Sequence, residues 1–317
     1  MKLFSESVGS VKTNEELKLL QQRHTDLDPA FICQAAHLSR RGEKRWLESV
    51  WRQYKPYADP HFCGDFKRQF KQRSWELYLG VALLNRGFKL RENRGTGPDF
   101  EVRAKDGGQG QCIVWIEAVV PTMGKGKDRV PEVVDGELVD FPEEELRFRL
   151  ASSLKEKFDR YGEYLQKGIV KASDPYVIAV NRSGLGLQVD PVVPMVLKVL
   201  FGIGHPVLRF PVGAESPPAP EAAWTTQYKI SKRSGATVSM LFFMSQEHAG
   251  ISAVIYCLDS ILNSPRLPHE MGENFVVVHN PLAKNPLPVG FFHFGDEWRV
   301  MGENLEKIRA RKNYTRP

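Results

Sequence analysis

The sequence predicts an α/β fold, a mixed sheet flanked by helices, preceded by a helical region and followed by a strand-rich extension. Three observations carry this. The elements between about residues 65 and 180 read in the order α-β-β-β-α-β, and a parallel neighbour strand needs a helix to return the chain. The run Cys112–Val120 is the most apolar strand of the first half. Between residues 143 and 166, Leu146, Leu150, Leu154, Phe158, Tyr161 and Leu165 recur at helical spacing and fall on one face.

The individual elements follow from local signals. Helices are expected at residues 14–22, 28–39 and 43–54, with Asn14 and Asp28-Pro29 as start signals. A longer helix is expected from about Asp65 to Arg86, stopped by Gly87. Residues 88–91, 99–104 and 112–120 read as strands, the last two joined by the Gly-rich turn 105–110. An irregular loop, 121–142, leads to the helix at 143–166. Tyr176–Val180, between Pro175 and Asn181, reads as a buried strand, and Asp190-Pro191 as the start of a helix reaching Gly202. Prolines 206, 211, 217, 218 and 220 mark a linker. Beyond it, 238–243, 252–257, 275–278 and 291–294 read as strands that either extend the sheet or form a second layer. The chain therefore divides into a helical region (1–64), an α/β core (65–204) and a strand-rich extension (205–317).

Composition narrows the classes. Hydrophobic residues at 42% and charged residues at 26% describe a soluble globular chain, and no apolar run is long enough for a membrane span. The N-terminus turns polar at once, and the four cysteines (33, 63, 112, 257) form no C-x-x-C pair, which argues against a structural zinc site and a disulfide framework. A reducing cytoplasm is the expected location. The net charge of +6 is concentrated: residues 39–75 hold ten Lys/Arg against four acids, interleaved with eight aromatic residues. Basic groups neutralise phosphates and flat rings stack on bases, so this region is a candidate nucleic-acid surface, with solvated amphipathic helices as the plainer reading. A basic tail, 307–316, is expected as an exposed arm.

Three acids stand where acids are awkward. Glu76 lies within a helix that is apolar on nearly all sides, Asp99 opens a strand after Gly97-Pro98, and Glu117 sits inside the apolar strand 112–120. A buried unpaired carboxylate costs several kcal/mol in real proteins, so each must be protonated, paired or bound to a metal. Mg²⁺ or Mn²⁺ takes oxygen ligands, and two carboxylates on adjacent strands of a hairpin can share one ion.

Gly97-Pro98-Asp99-Phe100, then a hairpin, then Ile116-Glu117-Ala118-Val119, preceded by the helical Glu76, resembles the PD-(D/E)XK phosphodiesterase (restriction endonuclease-like) family over roughly the middle third of the chain. The resemblance implies that Asp99 and Glu117 ligate Mg²⁺ or Mn²⁺, that the Ala118 carbonyl is a further ligand, and that Glu76 is an auxiliary acid. In the family a lysine two residues after the Glu orients or polarises the attacking water. Here that position is Val119. The family tolerates migration of this lysine onto the following helix, and the helical wheel places Lys157 between Leu146 and Leu150, inside the apolar sector, whereas Lys155 points away. Lys157 is therefore the replacement candidate and Lys155 the second, against the plainer alternative of a lysine that snorkels to solvent.

The loop 121–129 follows the Glu117 strand and carries Gly124, Gly126, Lys125, Lys127 and Arg129, which suits contact with phosphate; it has no P-loop spacing. After it, Glu132, Asp135, Glu137, Asp140 and Glu143–Glu145 form an acidic stretch, part of which suits a helix start and part an acidic flap that repels nucleic acid until displaced. The functional expectation is a Mg²⁺-dependent endonuclease with Asp99, Glu117, Lys157 and Glu76 in the catalytic site. Lys125, Lys127, Arg129, Arg68, Lys71 and Arg73 would hold nucleic acid, with DNA placed ahead of RNA. The rival is a catalytically inactive protein of the same fold that binds nucleic acid or a protein. Nothing specifies the oligomeric state, although two half-sites in a substrate would imply a dimer.

Overall fold

The first helices start on side-chain caps. Thr13 accepts the Glu16 N–H and Glu16 returns the bond to the Thr13 N–H, a capping box that opens α1 (Asn14–Arg23). Asp28 opens α2 (Pro29–Ala36) by accepting the Ala30 N–H at 2.8 Å. α3 (Arg41–Tyr54), α4 (Phe62–Arg68) and α5 (Phe70–Asn85) follow. The single helix expected over 65–86 is two helices, because Gln69 leaves the helical region at φ −134°, ψ 53°. Asp28 makes this break stable. Its N–H donates to the Lys67 carbonyl at 2.8 Å and its Oδ2 accepts the Phe70 N–H at 3.0 Å, so one carboxylate caps α2 and α5 together. The structure, a computed structural model, describes residues 2–4, 8–106, 110–132, 140–186, 188–190, 193–210, 221–233 and 235–309.

The next elements are β1 (Lys89–Leu90), β2 (Phe100–Asp106), β3 (Gly110–Val119), α6 (Glu143–Gln166), β4 (Tyr176–Asn181) and α7 (Met195–Phe201). β5 (Ile203–Arg209) pairs with β6 (Glu221–Thr226), and β7 (Lys229–Ser231) with β8 (Thr237–Ser239), in two small hairpins. β9 (Ala253–Cys257), β10 (Phe275–His279), β11 (Asp296–Met301) and β12 (Asn304–Arg309) then return to the main sheet. Its order is β1-β2-β3-β4-β9-β10-β11-β12. β3-β4-β9 at the centre and β10-β11 pair in parallel, whereas β1-β2, β2-β3, β9-β10 and β11-β12 pair antiparallel. α6 is the crossover between β3 and β4. Strands of the C-terminal third thus extend the sheet of the core.

Helices cover both faces of this mixed α/β sheet. β4 is buried along its whole length: Val177 and Ala179 join one core with Trp51, Phe66, Trp75 and Leu79, while Ile178 and Val180 join the other with Leu146, Leu150, Leu154 and Leu197. Most rings of the basic N-terminal stretch are spent here. Trp51, Tyr54, Phe62, Phe66, Phe70 and Trp75 are buried, and Trp51 stacks on Phe62 with centroids 5.1 Å apart, so they offer no platform for bases. No helix among the described residues is long and apolar enough to cross a membrane.

Four expectations are corrected in detail. Asp190 starts no helix: it accepts the Tyr256 hydroxyl at 2.9 Å and lies 3.2 Å from Arg182, and α7 begins only after Pro194. The strand expected at 238–243 ends at Ser239 and turns into a 3₁₀ segment at Phe242–Met244. Residues 291–294 form a turn in which His293 has φ 52°, and Phe292 and Phe294 alternate into the core by stacking rather than by extension. The basic tail begins as β12, where Lys307 pairs with Asp296 at 2.7 Å; residues 310–316 lie outside the described residues.

Because Asp28 serves two helix starts, Asp28→Ala should lower unfolding stability by about 2 kcal/mol in urea titration, and Asp28→Asn by less, at roughly 1 kcal/mol per lost cap. Equal stability of Asp28→Ala and the parent chain would contradict the double cap.

Candidate active site

β3 runs past the end of β2. Phe100, the first residue of β2, pairs with Ile116, so carrying the antiparallel register one step further sets Asp99 opposite Glu117. Residues directly opposite share a face of the sheet, here the face covered by α6. Asp99 does not continue the ladder through its backbone. Its Oδ2 accepts the Ala118 N–H at 2.7 Å, and Asn93 Nδ2 donates to its carbonyl at 3.1 Å.

α6 lays a cation on Glu117. Lys157 Nζ donates to Glu117 Oε1 at 2.9 Å, and both side chains are buried. The lysine expected at Val119 is thus supplied in space from the helix, whereas Lys155 pairs with Asp159 in solvent. One and two turns further along α6, Arg160 reaches to 3.5 Å from Glu117 Oε1 and the Tyr164 hydroxyl donates to Oε2 at 3.4 Å. Burial first, then the Glu117 charge, holds the Tyr164 hydroxyl above its ordinary range.

α5 brings the third acid from the opposite face. Glu76 Oε2 accepts from Arg73 at 2.7 Å and Oε1 from Gln72 Nε2 at 2.8 Å. Burial raises the Glu76 carboxyl and wins over the opposing pull of Arg73 and Gln72. Asp99 is pushed well above the usual carboxylate range, first by desolvation and then by repulsion from Glu117 and Glu76. It still presents part of its surface to the cleft. No cationic side chain forms an ion pair with it among the described residues.

The donors here are all oxygen, and their mutual repulsion at Asp99 marks a place short of positive charge; both suit a hard divalent cation. Among the described residues no three His, Cys, Asp or Glu side chains stand close enough together to hold a metal ion. A site built from Asp99 and Glu117 therefore needs the Ala118 carbonyl and water to complete it, in keeping with an ion that retains several waters.

Asp99 stands where two hollows meet. A cleft of about 990 Å³ reaches Lys71, Arg149, Lys157 and Arg160 on one side, and a second of about 960 Å³ reaches His61, Tyr164 and Lys167 on the other. They share Arg68, Arg73, Asp99 and Arg160. Of the expected phosphate contacts, Arg68 and Lys71 are exposed in this groove. Arg73 is not free for phosphate: it is tied to Asp59, Asp65 and Glu76 at 2.7–2.8 Å. Lys125 and Arg129 line a shallower hollow of about 540 Å³ that joins the first cleft at Thr122 and Met123; Lys127 is exposed beside them, and Arg129 pairs with Glu132. Of the acidic stretch, Glu143 is held by Lys198 at 2.7 Å and Glu145 by Arg233 at 2.6 Å, while residues 133–139 lie outside the described residues.

Comparison with known proteins found no match. No family model, no curated protein and no solved structure matches the chain. Its site is read from its own residues.

Four residues at the site escaped the sequence reading: Gln72, Arg149, Arg160 and Tyr164. Three had a helical signal. Gln72 precedes Glu76 by four residues, and Arg160 and Tyr164 follow Lys157 by three and seven. Arg149, bonded to the Thr122 carbonyl at 2.6 Å, had none.

Two stability outcomes follow. Lys157→Ala leaves the buried Glu117 carboxylate with only the longer contacts from Arg160 and Tyr164 and should cost about 3 kcal/mol in chemical denaturation, most of it recovered in Lys157→Met with Glu117→Gln. For Asp99 the folded-state pKa lies above the unfolded value of about 3.9. The folded state then holds the proton more tightly, so stability is greatest below that value and falls as pH rises towards the raised folded pKa. Asp99→Asn escapes this loss. In chelator its melting temperature at pH 7 should exceed that of the parent chain, and the gap should close towards pH 4. A lower melting temperature for Asp99→Asn at pH 7 would contradict the repulsion.

Proposed function

We propose that the chain is a divalent-metal-dependent nuclease of the PD-(D/E)XK type that hydrolyses phosphodiester bonds in nucleic acid, DNA ahead of RNA. The observation that carries this reading is the Lys157 ammonium 2.9 Å from Glu117, with Asp99 directly across the hairpin. These are the three chemical roles the resemblance asks for, with the lysine delivered from α6 in place of Val119.

The chain's own groups divide the work. The Asp99 and Glu117 carboxylates and the Ala118 carbonyl would hold Mg²⁺ or Mn²⁺. When bound, such an ion lowers the pKa of a coordinated water and neutralises charge developing on phosphate oxygens. Lys157, paired with Glu117, donates a hydrogen bond that orients the attacking water. Arg160, between the two hollows, and Lys71 and Arg149 at the first meet the phosphates on either side of the scissile bond. Glu76 acts from behind, holding Gln72 and Arg73 in place. A water oxygen attacks phosphorus and gives up a proton to solvent, the bond to the leaving sugar oxygen breaks, and that oxygen takes up a proton from solvent.

One observation favours the rival, a binding module without catalysis. Glu117 and Glu76 are already neutralised by Lys157 and Arg73, so the site is electrostatically nearly complete without an ion. A plasmid-nicking assay with Mg²⁺ or Mn²⁺ separates the two. The nuclease reading expects nicking that falls at least about 100-fold in Asp99→Ala and in Lys157→Ala, the scale for loss of a group that stabilises the transition state. Salt-dependent DNA binding without nicking would establish the binding module instead.

A further inference from the structure

Where β3 outruns β2, its backbone needs new partners. The ladder stops at Phe100 and Ile116; continued two steps, its register would set Ala118 opposite Pro98, which has no N–H to give. The Ala118 carbonyl accepts instead from Gln72 Nε2 at 3.1 Å, and the Val120 N–H donates to Gln72 Oε1 at 2.8 Å. The same Nε2 donates its second hydrogen to Glu76 Oε1 at 2.8 Å. This network fixes the amide: turned over, it would aim its oxygen at two acceptors and its NH₂ at a donor.

We infer that Gln72 is a positioning residue that stands in for a cation, its NH₂ bridging the Ala118 carbonyl and Glu76, so that an ion using the Ala118 carbonyl competes with it for that oxygen. The inference rests on the ion-binding reading above. It deepens that reading by naming the group that competes with the ion and the oxygen contested, the Ala118 carbonyl. The second hydrogen of Nε2 ties Gln72 to Glu76 and so to α5. Gln72 also secures the free end of β3, so its loss has a structural cost that is separable from its effect on the ion.

The test is Mn²⁺ affinity by calorimetry, with melting temperature in chelator, for the full chain and for Gln72→Met and Gln72→Glu. Methionine removes all three bonds at similar length, and glutamate removes both donors. Both variants should melt lower in chelator. Gln72→Met should bind Mn²⁺ about fivefold more tightly, because one hydrogen bond to the Ala118 carbonyl, worth on the order of 1 kcal/mol, no longer competes with the ion, and Gln72→Glu more tightly still, because it also adds a carboxylate. Unchanged or weaker Mn²⁺ binding in Gln72→Met, with binding intact in the parent chain, overturns the inference and leaves the ion-binding reading standing. No Mn²⁺ binding by any of the three overturns both. In the parent chain, Mg²⁺ should also shift the Gln72 side-chain amide protons by NMR. If Mg²⁺ binds and they do not move, the inference fails even where a variant does not fold.

Discussion

The site depends on a mismatch of strand lengths. β3 continues for several residues after β2 has given way to Gly97-Pro98, and the backbone groups of Ala118 and Val120 on that side are left without a ladder. Asp99 and Gln72 fill the gap with side chains, one taking the Ala118 N–H and the other the Ala118 carbonyl and the Val120 N–H. A buried backbone group left unpaired costs about as much as a lost hydrogen bond, so these side chains are held in place by the needs of the sheet. The same interactions set an acid from the hairpin and an acid from α5 around the end of one strand.

The second constraint is charge. Three carboxylates converge in a region that is largely out of water, and the fold answers with Lys157 on Glu117 and Arg73 on Glu76. Among the described residues Asp99 has the Ala118 N–H and no paired cation, and burial with repulsion from Glu117 and Glu76 pushes its carboxyl up. This division gives the acids different roles. Glu76 belongs to a network that ties α5 to Asp59 and Asp65 through Arg73. Asp99 lines both hollows, while Glu117 is buried beside it against Lys157.

Much of the core was legible because its signals are local and periodic. The apolar run of 112–120 and the apolar stripe of 143–166 locate β3 and α6, and the position of Lys157 within that stripe points it at the sheet. The acids announced themselves by standing in apolar context. What was not legible depends on tertiary partners. The break at Gln69 comes from Asp28, some forty residues away. The aromatic residues of the basic stretch read equally well as a stacking surface or as core, and only their burial against one another decides it. Arg73 looked like a phosphate ligand because its acids, Asp59 and Asp65, come from another helix and the loop before it. β11 and β12 lack a strong apolar pattern, and the neighbouring Phe292 and Phe294 drew the strand assignment away from them.

The central claim is that Asp99, Glu117 and the Ala118 carbonyl hold one divalent ion beside Lys157. Anomalous diffraction from crystals soaked in Mn²⁺ tests it most directly. The account predicts one strong peak at about 2.1 Å from these oxygens, a distance typical of small hard cations. An absence of any peak there would contradict it.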